Sequence, residues 1–155
     1  MIKADVLITN KNWKKFIGHP NLYINKKLKK IDKKINLFKD NNYNFTLLLS
    51  GTLEIKRLNT KFRKKNKATD ILSFPFYEKK TLMKLMNKKR SKIYLGDIII
   101  NLNELKRRIK KKNFYFIFDE IWVHGLVHLL GHRHKSNLDF SIMKKLEIKL
   151  LKHIL

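Results

Sequence analysis

The sequence predicts an α/β or α+β fold, in which a small mixed sheet of about four strands packs with several helices. Three observations lead to this prediction. Short apolar runs rich in β-branched residues alternate with longer segments whose apolar residues recur at helical spacing. The 155 residues are 43% hydrophobic, which is enough for one real core. There is no linker, internal repeat or low-complexity tail, so we expect residues 1–155 to form a single compact domain.

The first half of the chain is predicted to contain two strands and two helices. Residues 4–10 alternate weakly between apolar and polar positions, as a short strand does. Residues 11–39 carry apolar residues at helical spacing, and the break at residues 18–20 predicts that one helix follows it. Residues 44–51 form an apolar, strand-like run, after which apolar positions 53, 55, 58 and 62 predict a helix.

The second half is predicted to contain two more strands followed by three helices. The strands are expected over residues 70–76 and 93–101, and the lysine-rich segment 79–92 between them is a surface loop or a short helix. From Asn101 onward, helical spacing predicts helices over residues 101–112, about 116–130 and about 137–153.

The charge of the chain favours a polyanionic partner. Lys and Arg together number 37, against 12 Asp and Glu, which gives a net charge of +25. A field of this size attracts nucleic acid. Abundant lysine, asparagine and isoleucine are also typical of an A+T-rich genome, in which lysines accumulate on solvated surfaces. The charge therefore favours nucleic-acid binding without establishing it.

Residue types and patterns that the sequence lacks exclude several classes of function. The chain has no cysteine, which rules out disulfides, thiolate zinc sites and cysteine nucleophiles, and fits a reducing compartment. No signal-peptide pattern opens the sequence, and no apolar run approaches the roughly 20 residues of a membrane-spanning helix. We expect a cytoplasmic protein with no membrane partner.

Four of the six histidines lie in VHGLVHLLGHRH, residues 123–134, and their spacing predicts a metal site. His124 and His128 are four residues apart on a predicted helix, so both imidazoles leave the same face. Gly131 stands where a helix commonly ends in a left-handed residue, and such a reversal would bring His134 back as a third ligand. Three histidines with a fourth position open to water are typical of a catalytic zinc site.

The residue beside the first histidine decides between two kinds of hydrolase. A zinc peptidase of the HExxH type needs a glutamate there as general base, and this chain has Gly125. A metal ion can still lower the pKa of water enough for attack on phosphorus. Because the surface is basic, we expect a phosphodiester substrate rather than a peptide or a small neutral molecule.

These residues resemble the YbeY endoribonucleases, small bacterial metalloproteins of ribosomal RNA maturation. HGLVHLLGHRH is similar to the family signature HGxLHLxGYDH. LNTKFRKKNKATDILSFPF, residues 58–76, is similar to the family's Asn-x-x-x-Arg segment followed by Thr-Asp-Val-Leu-Ser-Phe-Pro, and LGDIIIN, residues 95–101, is similar to its Leu-Gly-Asp-Ile-x-Ile strand. Met143 lies in the helix expected after the histidines, and the similar segments run in order from about residue 44 to 150.

The resemblance implies a single-strand-specific, metal-dependent endoribonuclease that acts in ribosomal RNA maturation, including the 3′ end of 16S rRNA, and in ribosome biogenesis. It implies one Zn²⁺ ion held by His124, His128 and His134, with Arg63 and His128 as catalytic residues. Arginine suits this role, because its planar cation matches phosphate oxygens. The partners implied are single-stranded RNA, ribosomal RNA and ribosomal subunits.

The chain departs from the family signature at the two positions before the last histidine. His132 and Arg133 stand where the signature has Tyr-Asp, so a cation replaces an acid beside the proposed ion. If that aspartate orients a ligand, its loss would weaken metal binding about 10–100-fold. A non-catalytic RNA-binding assembly factor with a weak or structural metal site is therefore the alternative. His132 could compete with His134 as the third ligand, but the six-residue step from His128 to His134 is the family's spacing. We therefore expect His132 to be exposed near the cleft and Arg133 to contact substrate phosphate.

Four further residues are weaker candidates. Glu120 lies one helical turn before His124 and would be a carboxylate acceptor for its ring or for a proton. Asp70 and Ser73 would line the cleft, although Asp70 equally suits a purely local role in a turn. We expect Asp97 to be structural.

Overall fold

One four-stranded mixed sheet organises the fold, with strand order β1-β2-β4-β3. In the computed structural model, which describes residues 1–109 and 113–155, the strands are β1 (Ile2–Ile8), β2 (Asn42–Ser50), β3 (Ile71–Pro75) and β4 (Lys92–Asn101). β1, β2 and β4 run parallel, whereas β3 pairs antiparallel with β4 and forms one edge. The predicted fold class, with about four strands in a mixed sheet, is confirmed.

Six α-helices surround the sheet in the part of the chain that the structure describes. They are α1 (Pro20–Lys34), α2 (Thr52–Arg63), α3 (Lys79–Asn87), α4 (Leu102–Arg108), α5 (Phe114–Leu129) and α6 (Asn137–Ile154), and 3-10 turns cover Lys11–Lys15 and Asn36–Phe38. Within residues 1–109 and 113–155, no helix is long and apolar enough to cross a membrane.

The two faces of the sheet carry separate apolar clusters. Because successive side chains of a strand point to opposite faces, Ile98 and Ile100 of β4 face one way and Ile99 faces the other. Ile98 and Ile100 belong to the main core, which includes residues of α1, α5 and α6, whereas Ile99 packs with Ile55 of α2 and Leu72 of β3. α5 therefore lies on the large-core face and α2 on the opposite face.

Helix α5 is the most deeply buried helix that carries predicted site residues. It contacts β3, β4, α4 and α6, and its apolar residues are buried on nearly every side. A helix that is hydrophobic all round is stable only inside a protein, where its neighbours cover each face. The position of α5 is therefore fixed by packing over most of its length.

The predicted bounds of the strands β1 and β2 were wrong. β1 was expected over residues 4–10 and β2 over 44–51, but both strands begin and end earlier in the chain. Ile2 pairs with Tyr43, and both side chains are almost fully buried. The pairing of the two strands, which local alternation does not reveal, sets where they begin.

The helical predictions agree in number and type. Helices follow the break at residues 18–20 and the strand that ends at Ser50, and the lysine-rich segment contains the short helix α3 rather than a loop alone. The helix predicted over residues 101–112 is α4, which ends at Arg108, and residues 110–112 lie outside the described part of the chain.

Gly96 marks the closest approach between β3 and β4. It pairs with Pro75 and has φ +131°, a conformation that disfavours any residue with a Cβ. A Cβ at this position would lie 2.1 Å from the carbonyl oxygen of Phe74 and 2.9 Å from the amide nitrogen of Phe76. Backbone atoms of a paired strand cannot move aside without breaking the pairing.

We therefore expect Gly96→Ala to lower the free energy of unfolding by about 2–5 kcal/mol, from backbone strain and overpacking together. Urea denaturation followed by circular dichroism measures this change. Gly18→Ala is the matched control, because no described atom lies within 4 Å of a Cβ built there, and it should shift stability by no more than about 0.5 kcal/mol. Equal stability of the two variants would contradict the clash.

Candidate metal centre

Helix α5 presents two histidines on one face, as their spacing predicted. The Nε2 atoms of His124 and His128 are 3.1 Å apart. Gly125, between them in sequence, faces the sheet, where a Cβ would lie 2.9 Å from Ile71 Cδ1 and from Ile98 Cγ2. The glutamate that HExxH peptidases carry at this position would not fit here. Close packing of α5 on the sheet thus excludes that chemistry structurally.

The turn after α5 brings the third histidine to the same point. Gly131 has φ +92°, the left-handed conformation expected at the end of this helix. The chain reverses there and places His134 Nε2 3.0 Å from His128 Nε2. One nitrogen from each of the three rings lies within 4.8 Å of the others, which makes a group that could hold a metal ion.

The hydrogen bonds of two rings fix which nitrogens face each other. His128 Nδ1 lies 2.8 Å from the carbonyl oxygen of His132, which can only accept, so His128 is protonated at Nδ1. His124 Nδ1 lies 2.6 Å from a carboxylate oxygen of Glu147 and donates to it. In the neutral rings, both Nε2 atoms then carry lone pairs that point at each other. Two lone pairs at this distance repel, and a cation between them relieves the repulsion.

Glu147 of α6 is the one component of the centre that the sequence analysis missed. Glu147 is 7% exposed and is 23 residues from His124 in sequence. One of its carboxylate oxygens accepts a hydrogen bond from His124 Nδ1, and Lys144 Nζ contacts the other oxygen at 3.3 Å. Burial alone would raise the pKa of Glu147, but the hydrogen bonds from His124 and Lys144 outweigh it and lower the pKa below its usual value. The carboxylate that accepts from His124 Nδ1 is thus the ionised one of Glu147, whereas Glu120 was only a weaker candidate for this role.

The electrostatics of His128 favour the form that binds metals. Burial lowers its pKa to about 4, with a further lowering from His124 and His134 that the hydrogen bond to the His132 carbonyl only partly offsets. The imidazole is therefore neutral at pH 7. A neutral ring with one nitrogen engaged as a donor and the other free is the state in which histidine acts as a ligand.

Arg63 lies in the same cleft as the three histidines. This histidine cleft has a volume of about 510 Å³, and its lining includes Arg63 at the end of α2, Ile71, Ser73 and Pro75 of β3, and residues 132–134 of the turn. Arg63 Nη2 donates to the carbonyl oxygen of Ser73 at 2.9 Å, and the guanidinium lies 5.5 Å from the Phe74 ring centroid. β3 is an edge strand with unpaired carbonyls on its outer side, and Arg63 uses one of them. The fold thus brings together all four predicted site residues.

The weaker candidates divide between the cleft and the scaffold. Ser73 lines the cleft, and its Oγ is buried without a hydrogen-bond partner among the described residues. Asp70 pairs with Arg108 and accepts from the Ile71 amide, which is the local role considered for it. Asp97 accepts from the Tyr94 hydroxyl at 2.6 Å, as a structural residue does.

The two residues that depart from the family signature both lie at the cleft. Arg133 is exposed and lines it. His132 was expected to be exposed, but it is half-buried, and burial together with the charge of Lys79 lowers its pKa. Its ring is not part of the histidine group; instead its backbone carbonyl positions His128.

Comparison with known proteins gives consistent matches along the whole chain. A sequence model described as Endoribonuclease YbeY matches residues 7–155. The Endoribonuclease YbeY of Pelagibacter ubique is 42% identical over 99% of this chain and 97% of its own length. That of Thermodesulfovibrio yellowstonii is 37% identical over 79% of this chain and 76% of its own. The solution structure of a Thermotoga maritima protein, 23% identical, shares the fold with a TM-score of 0.59 over 99% of this chain and 89% of that one.

Because Glu147 orients His124, we expect Glu147→Gln to weaken metal binding about 10–100-fold. Competition with a chromophoric chelator, using purified protein and added zinc, measures the affinity. Glu104→Gln is the control, because Glu104 pairs with Arg107 on α4, away from the histidines. Unchanged affinity in Glu147→Gln, with folding intact, would show that this carboxylate does not support the site.

Proposed function

The chain belongs to the YbeY endoribonuclease family, and from this membership and its site we propose that it is a metal-dependent endoribonuclease. The substrate is single-stranded RNA, and the reaction is hydrolysis of a phosphodiester bond. The observation that carries the proposal is the convergence of three imidazole nitrogens beside a guanidinium in one cleft. A cleft of this composition suits a phosphate group that must be bound and polarised.

The donor set supports zinc as the ion. The proposed ligands are His124, His128 and His134, all through nitrogen, and nitrogens about 2.0–2.1 Å from a tetrahedral zinc lie ~3.4 Å from one another. His128 Nε2 lies 3.1 Å from His124 Nε2 and 3.0 Å from His134 Nε2, close to this value, and one nitrogen from each of the three rings lies within 4.8 Å of the others. When bound, such an ion acts as a Lewis acid and lowers the pKa of water toward neutrality.

The role proposed for Arg63 is to stabilise negative charge on the phosphate oxygens. One of its five N–H donors is held by the carbonyl of Ser73, and its ring contact with Phe74 restrains the side chain, so the guanidinium is positioned before substrate arrives. A positioned cation stabilises charge that grows in the transition state without reorganising at that moment. His128, proposed as a catalytic residue through its place in the centre, is kept neutral by burial.

The surface charge supports a nucleic-acid substrate. The net charge of +25 attracts phosphate backbones and speeds their encounter with the cleft. We extend the proposal to ribosomal RNA maturation, with ribosomal RNA and ribosomal subunits as partners in the cytoplasm. The support for this extension is family resemblance.

Arg63→Ala should reduce the single-turnover rate of RNA cleavage about 100–1,000-fold while changing RNA affinity only modestly. A labelled single-stranded RNA, saturating zinc-loaded protein and gel analysis measure the rate, and fluorescence anisotropy measures binding. His128→Ala should lower the rate similarly, and a chelator should abolish cleavage. Arg63→Lys should restore little, because an ammonium lacks the two-pronged geometry.

Arg57→Ala is the matched control for Arg63. Arg57 lies on the same helix and is exposed, with only a 3.8 Å contact to Glu54, so its loss should leave the rate unchanged. Cleavage that survives both Arg63→Ala and His128→Ala would belong to another site or a contaminating nuclease. Tight RNA binding by a wild-type protein that never cleaves would establish an assembly factor instead.

A further inference from the structure

A second cleft adjoins the histidine cleft on the other side of the turn that follows α5. It has a volume of about 490 Å³, and we call it the basic cleft, after Lys79, Lys80, Arg133 and Lys135 in its lining. The two clefts share Pro75, His132 and Arg133. A ligand longer than the histidine cleft can therefore continue into the basic cleft across residues 132–133.

The charges of the basic cleft suit an anionic ligand. Its four cations face two carboxylates, Glu78 and Asp139. Among the described residues, none of the four cations forms an ion pair, although five acidic residues elsewhere, Glu54, Asp70, Glu104, Asp119 and Glu147, each pair with a lysine or arginine. Exposed cations in a concave surface retain their attraction for phosphate, because no fixed carboxylate neutralises them.

The packing of the turn holds two walls of the basic cleft in place. A Cβ on Gly131 would lie 2.9 Å from Lys79 Cβ and 3.3 Å from Lys79 Cα, so the start of α3 packs directly against the turn. Gly131 also supplies the left-handed residue that returns the chain toward His134. Gly131 therefore contributes to both clefts, through its backbone conformation in one and its contact with Lys79 in the other.

An aromatic ring lies beside these cations. Tyr77 lines the basic cleft and is half-buried, with its ring 4.9 Å from that of Phe76, which is 62% exposed. Sites for single-stranded nucleic acid combine a basic groove for phosphates with aromatic faces for bases. Tyr77 and the four cations supply both components.

We propose that the basic cleft binds the part of a single-stranded RNA that flanks the scissile phosphate, with Arg133 as the cation shared between the two clefts. This inference rests on the proposed function, because it assigns the RNA substrate a path beyond the histidine centre. In this chain a cation at position 133 replaces the acid of the family signature. The replacement removes a charge that would repel a phosphate at the junction of the two clefts.

The test measures how removing two lysine charges changes the affinity for a short and for a longer RNA. The variant is Lys80→Gln with Lys135→Gln, which leaves Lys79 and its packing on Gly131 intact. The control is Lys149→Gln with Lys152→Gln, which removes the same charge from exposed positions about 15–20 Å along α6 from Asp139. Each zinc-loaded protein is titrated with fluorescent oligouridylates of about three and about twelve nucleotides, and anisotropy is read before appreciable cleavage, which gels of the same samples monitor.

The Lys80/Lys135 variant should bind the longer RNA roughly 5-fold or more weakly than wild type, with a salt slope less steep by about 1.4, since each neutralised phosphate contributes about 0.7. Its binding of the short RNA should be unchanged, because the proposal places the nucleotides nearest the scissile phosphate in the histidine cleft rather than beside Lys80 and Lys135. The control should match wild type on both. Arg133→Gln should weaken both RNAs, because Arg133 lines both clefts.

Two outcomes would overturn the basic cleft. If the Lys80/Lys135 variant matches the control on the longer RNA, the lysines are merely solvated, or serve a partner other than RNA. If it loses affinity equally for both lengths, the lysines act through the general field of the protein. If the wild-type protein does not cleave RNA, the proposed nuclease activity is refuted. A loss of binding that depends on RNA length in the same samples would still support RNA binding by the basic cleft.

Discussion

The close packing of α5 on the sheet is the constraint on which the candidate centre depends. Gly125 brings the helix backbone near Ile71 and Ile98, and apolar neighbours cover most of the remaining helix surface. The edge that carries His124 and His128 reaches a cleft. Packing rather than local flexibility thus directs both imidazoles, and it leaves room for no larger residue at position 125. Core packing therefore limits which side chains can stand beside the histidines, and so which reactions the site can carry out.

Two hydrogen-bond acceptors outside α5 determine which ring nitrogen of His124 and of His128 carries the proton. The carboxylate of Glu147 and the carbonyl of His132 each take an Nδ1 proton, which turns the two Nε2 lone pairs inward. Convergent lone pairs carry a cost in the metal-free protein, because like partial charges face each other at 3.1 Å. A bound cation would accept both lone pairs and so remove this repulsion. The turn at Gly131 has a double part in this arrangement, since it supplies both the His132 carbonyl and the third ring.

The sequence allowed the local part of this centre to be predicted, and the distant part only by resemblance. His124, His128 and His134 follow from helical spacing and from one glycine, because they lie within eleven residues. Arg63 comes from another helix and reaches the cleft across an edge strand, so only motif similarity indicated it. Glu147 gave no signal at all: an acid in an amphipathic helix looks solvated until the tertiary fold buries it. The starts of β1 and β2 were misplaced for the same reason, because their pairing is long-range.

The residues of the candidate site come from two parts of the chain that are far apart in sequence, and this separation affects how the site forms during folding. The three histidines lie on one helix end and the turn that follows it, whereas Arg63 reaches the cleft only when α2 and β3 have been assembled beside α5. Contacts between residues far apart in sequence form at a greater entropic cost, and they commonly form later. Assembly of the whole sheet, and not of the histidine segment alone, is therefore needed to bring the arginine beside the three histidines.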